Sequence, residues 1–119
     1  MSTLTVSGAI TDNGDVVLRK SGLGTLVLTG TSSSVDALSA EQGTLDINGG
    51  SLDVRGASLN DDAVLATTVR VRGGGHLTSP GDIVVQTVGV AVSVEGGGSE
   101  LRGDNFFRIG ANSGGLVDV

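Results

Sequence analysis

The feature that most constrains this chain is a short alternating segment, closed by glycine, that keeps returning. It stands as LTVSG at 4–8, LVLTG at 26–30, LDING at 45–49, VRVRG at 69–73 and VSVEG at 92–96, with VDV at 117–119. The third residue of each is Val6, Leu28, Ile47, Val71, Val94 and Val119, in steps of 22, 19, 24, 23 and 25 residues. A period of about 23 that holds strands and glycine corners, with no helical pattern, is the mark of a solenoid. A second alternating segment follows each Gly pair in GGSLDV at 49–54, GGHLTS at 74–79 and GGSELRG at 97–103. One period therefore contains at least two strands and the corner between them.

Strand side chains alternate between two faces, so the apolar positions identify the inner one. Leu45, Ile47, Leu52 and Val54 point inward in one period, and Val69, Val71 and Leu77 in the next. If the periods stack as parallel coils about 4.8 Å apart, Val6, Leu28, Ile47, Val71, Val94 and Val119 form an aliphatic ladder. The outward residues then report the register: Asp46 is expected beside Arg70, and Arg72 beside Glu95. Such exposed pairs contribute only about 0–1 kcal/mol each and test alignment more than they stabilise. The expected fold is all-β, a right-handed parallel β-helix of about five coils of about 23 residues. One β-helix segment spans 1–119, with an irregular loop or single helical turn at about 31–42, where SSSVDALSAEQG lacks the strand alternation.

Composition agrees with a core of many small, similar layers. The chain of 119 residues is 38% hydrophobic but only 2% aromatic, and its 21 glycines lie between apolar runs, where corners are needed. There is no Cys, which excludes disulfides, thiolate metal sites and cysteine nucleophiles. The formal charge of -6 argues against nucleic acid and anionic membranes as partners. The start MSTLTVSGAI has neither a basic n-region nor an apolar h-region, and no run approaches 18 apolar residues, so a cytosolic protein or an excised piece of a longer one is expected.

GLGTLVLTG followed by QGTLDINGGSL resembles the glycine-rich passenger repeat of bacterial autotransporters, and VSVEGGGSELRGDNFFRIGANSGGLVDV is similar to another passenger coil of that family. The resemblance covers essentially the whole chain. It implies a right-handed parallel β-helix presented at the bacterial cell surface or released from it, normally followed by a membrane barrel. Here TSSSVDALSAEQ stands where the family carries a long Tyr- and Asn-rich loop, and the chain is expected to be a fragment of a longer passenger.

Motifs that carry chemistry are weak by comparison. Gly22, Gly24 and Gly30 lack the G-x-G-x-x-G spacing of a dinucleotide loop and lead into a strand. GGSLDVRGA places its Asp wrongly for a calcium-binding nonapeptide. A β-helix lyase or hydrolase needs carboxylates clustered on neighbouring coils beside a basic group. Asp46, Asp53, Asp61, Asp62, Asp82 and Asp104 are the candidates. His76, the single histidine, aligns with Ser51 on an outward face, where one imidazole makes no metal site. Arg102, Gly103 and Asp104 form an RGD tripeptide that an integrin-type receptor could read if the two charges project from an exposed tip. No catalytic, cofactor or metal residue is expected. The expected role is a structural or adhesive stalk segment, with a host surface, a matrix receptor or another copy of the chain as partner. A self-assembling fibre subunit and a carbohydrate-active or carbohydrate-binding β-helix are the rivals.

Overall fold

The computed structural model describes residues 2–11, 16–54, 63–85, 90–104, 107–109 and 115–118. Every regular element among them is a strand, and these strands pair in parallel. The chain winds through three faces in turn. The first face is a six-stranded sheet of β1 (Thr3–Val6), β3 (Thr25–Leu28), β6 (Thr44–Asn48), β9 (Thr68–Arg72), β12 (Val90–Glu95) and β15 (Gly115–Asp118), stacked in that order. The second face stacks β4 (Ser33–Val35), β7 (Ser51–Val54), β10 (His76–Ser79) and β13 (Glu100–Gly103). The third stacks β2 (Val17–Lys20), β5 (Ala37–Ala40), β8 (Ala63–Leu65), β11 (Ile83–Val85) and β14 (Phe107–Ile109). This is a parallel β-solenoid of about four turns of ~23 residues, where about five were expected. The difference arises because the recurring segment marks one face only: its six strands outnumber the four of the second face.

The interior follows from alternation. Val6 pairs with Leu28, Leu28 with Ile47, Ile47 with Val71, and Val71 with Val94, so the expected ladder stands in register. Leu28, Ile47 and Val71 are buried, whereas Val6 and Val94 pack partly buried against the same core; Val119 lies outside the described residues. A second ladder runs through Leu4, Leu26, Leu45, Val69 and Val92, two residues earlier on the same strands. Buried Leu52 and Leu77 face inward from the second sheet, and Leu38, Leu65, Ile83 and Val85 from the third. Burying one such side chain contributes about 1.5–3 kcal/mol. Each rung is covered by the rung above and the rung below, so no aromatic bulk is needed to fill the interior.

The stretch 31–42 is not an irregular loop. It contains β4 and β5, with Val35, Ala37, Leu38 and Ala40 all buried. Serine hides the pattern, because Ser33 occupies an inward position in register with Leu52 and is 4% exposed. Its hydroxyl is satisfied there by accepting the Ile10 N–H at 2.9 Å. A small polar residue can stand in a ladder when a neighbouring coil supplies its partner.

The corners from the first face to the second differ in length. The turn from the first face to the second uses Gly49 and Gly50 after β6, Gly73 to Gly75 after β9, and Gly96 to Ser99 after β12. At Gly75 the coils approach so closely that a Cβ would lie 2.6 Å from the Ile47 carbonyl oxygen and 3.0 Å from that of Arg72. At Gly97 a Cβ would meet nothing within 4 Å. Gly75→Ala is therefore expected to lower stability by about 1–3 kcal/mol, several degrees of melting temperature. Gly97→Ala should leave thermal unfolding followed by circular dichroism unchanged, and equal melting temperatures for the two variants would contradict this packing.

Candidate functional site

Charged and hydroxyl side chains gather on the outward faces, so the candidate sites lie on the first and second sheets. On the first, β6, β9 and β12 bring together Asp46, Arg70, Arg72 and Glu95. The register is the expected one: Asp46 stands opposite Arg70, and Arg72 opposite Glu95. The ion pairs nevertheless run diagonally. Arg72 donates from Nε to Asp46 Oδ1 at 3.1 Å and from Nη2 to Oδ2 at 2.7 Å, while Arg70 Nη2 lies 3.5 Å from Glu95 Oε2. An arginine stem is long enough to reach a carboxylate two residues along the neighbouring strand, and its planar fork matches both oxygens.

This geometry changes the status of Asp46. It occupies an outward position, yet it is only 3% exposed because neighbouring side chains cover it, Arg72 among them. The hydrogen bond from Arg72 to Asp46, reinforced by the attraction of the carboxylate charge, raises the guanidinium pKa above its ordinary value. A general acid or base must be able to exchange a proton with substrate. Asp46 is instead held by both oxygens, and the cluster joins three successive coils, from β6 through β9 to β12.

The second sheet carries two parallel rows of polar residues. Ser51, His76 and Glu100 share one row, and Asp53, Thr78 and Arg102 the other. A serine, a histidine and a carboxylate on successive coils invite comparison with a hydrolytic triad. The imidazole Nδ1 lies 3.5 Å from Glu100 Oε1. Ser51 Oγ, however, accepts the Ser32 N–H at 2.9 Å, from a residue held at a φ of 65°. A nucleophilic serine donates its hydroxyl proton to the imidazole, and no such hydrogen bond joins Ser51 to His76 among the described residues. In the second row Thr78 donates to Asp53 at 3.1 Å. Among the described residues, no three His, Asp or Glu side chains converge as metal ligands.

The RGD tripeptide lies in the second row. Arg102 and Gly103 belong to β13, and Asp104 follows with its N–H donating to the Ser79 carbonyl at 2.9 Å. Arg102 and Asp104 are both exposed, but Arg102 Nε donates to Asp104 Oδ1 at 2.7 Å. The hydrogen bond that Arg102 donates to Asp104 and the charge of that carboxylate, with Glu100 adding to them, raise the Arg102 pKa. The two charges thus close on each other along a strand. A receptor that reads them separately has to open this contact first.

Asp82 is buried at 2% exposure beside β11, where its carbonyl oxygen accepts the Ser79 hydroxyl at 3.3 Å, while Asp61 and Asp62 lie outside the described residues. Two features escaped the sequence: Glu100 as the third member of the His76 row, and Lys20 at an inward position of β2. Aligning the residues that follow each Gly pair would have found Glu100, since Ser51, His76 and Glu100 all begin their strands. Comparison with protein-family models, curated proteins and solved structures gave no match for this chain.

The Asp46–Arg72 pair is expected to behave as one unit. Asp46→Asn and Arg72→Gln should each lower the melting temperature more than Arg70→Gln does, and the double variant should lose less than the two single losses combined. Strict additivity in thermal unfolding would mean that the pair is not coupled.

Proposed function

We propose that this chain is a structural segment, a stalk or adhesive spacer whose work is to extend and present a surface. The observation that carries this is the closure of the charged clusters on neighbouring coils. Asp46 is taken by Arg72, Glu95 by Arg70, and Thr78 binds Asp53. Groups arranged in this way hold the coils in register. A solenoid suits the role because each coil contacts mainly its neighbours, and length grows by adding coils. The resemblance of its repeats to autotransporter passengers supports presentation at a bacterial surface, with a host surface or matrix receptor as the partner. An adhesive use of the RGD tripeptide predicts that Asp104→Glu abolishes attachment of integrin-bearing cells to the immobilised protein. Undiminished attachment would remove the tripeptide from the account.

The second reading is a self-assembling fibre subunit. It is favoured by β1 and β15, β2 and β14, and β13, end strands that each pair on one side only among the described strands. Unpaired strand edges are templates for another chain. Leu4, at an inward position of β1, is 62% exposed for the same reason. Sedimentation velocity over a concentration series is expected to show end-to-end association, and a strictly monomeric chain at high concentration would count against it.

A further inference from the structure

The first coil carries a feature that stands alone among the described strands. Lys20 pairs with Ala40, Ala40 with Leu65, and Leu65 with Val85, so a lysine occupies the first rung of a ladder whose next three members are fully buried aliphatic side chains. It is the only ionisable residue at an inward register position within the described strands. Its side chain is 7% exposed, and the ammonium donates to the carbonyl oxygens of Ser21 at 3.1 Å, Gly22 at 2.7 Å and Gln42 at 3.1 Å. All three of its N–H groups are therefore used, and no carboxylate lies within ion-pair distance of it among the described residues. Beside it the mouth of the solenoid is hollow. A cavity of about 340 Å³ opens there between Leu4 and Leu26 on one side and Arg19 and Lys20 on the other.

We infer that Lys20 is a built-in stop, which makes the end of the solenoid formed by β1 and β2 refuse a further rung from a second copy of this chain. Two physical terms act together. A rung laid over the first coil would remove the remaining solvent from an ammonium that is held by carbonyl dipoles, with no carboxylate within ion-pair distance among the described residues, and a charge so placed resists that transfer. The hollow beside Leu4 would also be left as a void by any rung whose side chains did not fill it. Inward-pointing charge is one of the recognised ways in which a sheet edge is kept from pairing. Association then uses only the end that carries β13, β14 and β15, so it stops at a pair of molecules and does not propagate into a filament. The stop stands independently of whether the chain serves as a stalk.

The test compares the parent chain with Lys20→Met, Lys20→Gln and Lys20→Arg by sedimentation velocity and negative-stain microscopy, with circular dichroism to verify folding. Lys20→Met removes both charge and donors, whereas Lys20→Gln keeps two N–H donors for the carbonyls and so guards against a variant that merely unfolds. The neutral variants are expected to form species one size class beyond the parent, beginning at about tenfold lower concentration, while Lys20→Arg behaves as the parent does. A parent that stays monomeric while the neutral variants pair would remove the association described above but uphold the stop. A folded Lys20→Gln with the parent's size distribution, or filaments formed by the parent itself, would overturn the stop.

Discussion

Everything in this molecule depends on the parallel backbone ladder between successive coils. Because the strands stack in register, each residue sits directly over its counterpart about 4.8 Å away, and like meets like along the whole axis. An aliphatic position becomes a continuous ladder, as from Val6 through Leu28, Ile47 and Val71 to Val94. A charged position becomes a row in which opposite signs must alternate or reach diagonally. A glycine position becomes a column where the backbone turns and the coils come closest, and the tight surroundings of Gly30, Gly50 and Gly75 belong to one such column.

That constraint explains which parts of the fold were legible. The first face could be read directly because its strands are four to six residues long, alternate cleanly and end at glycine. Register followed, and with it the opposition of Asp46 to Arg70 and of Glu95 to Arg72. The third face left no such trace. Its strands Ala63–Leu65 and Ile83–Val85 are three residues long, all or mostly apolar, and have no glycine at their ends, so alternation has no room to declare itself. Ser33 obscured the second face between residues 31 and 42, since a satisfied serine inside a ladder looks the same in sequence as one in a loop.

The polar clusters were legible in position but not in partnership. Strand pairing specifies which residues are opposite, whereas side-chain length and shape decide which of them touch. Arg72 passes over Asn48, its direct neighbour, to hold Asp46, and this is why a carboxylate on an outward position becomes buried. Lys20 follows the same logic in the other direction. Its inward position was implicit in the VLRK alternation, but a lysine is normally assigned to solvent, and only the carbonyls of a glycine-rich corner make its burial tolerable. These paired charges tie coil to coil and give the surface its character.

The central claim is the in-register parallel stacking, and cysteine pairs test it most directly, because the native chain has none. Thr25 and Thr44 are register partners on the outward face of β3 and β6, at a spacing suited to a disulfide. The double variant Thr25→Cys and Thr44→Cys, oxidised in dilute solution, should form an intramolecular disulfide in the folded state. A control that joins Thr25→Cys with Thr68→Cys, one coil further on, should remain reduced. Efficient linkage of the second pair with none of the first would contradict the register on which the ladders, the ion pairs and the proposed role all rest.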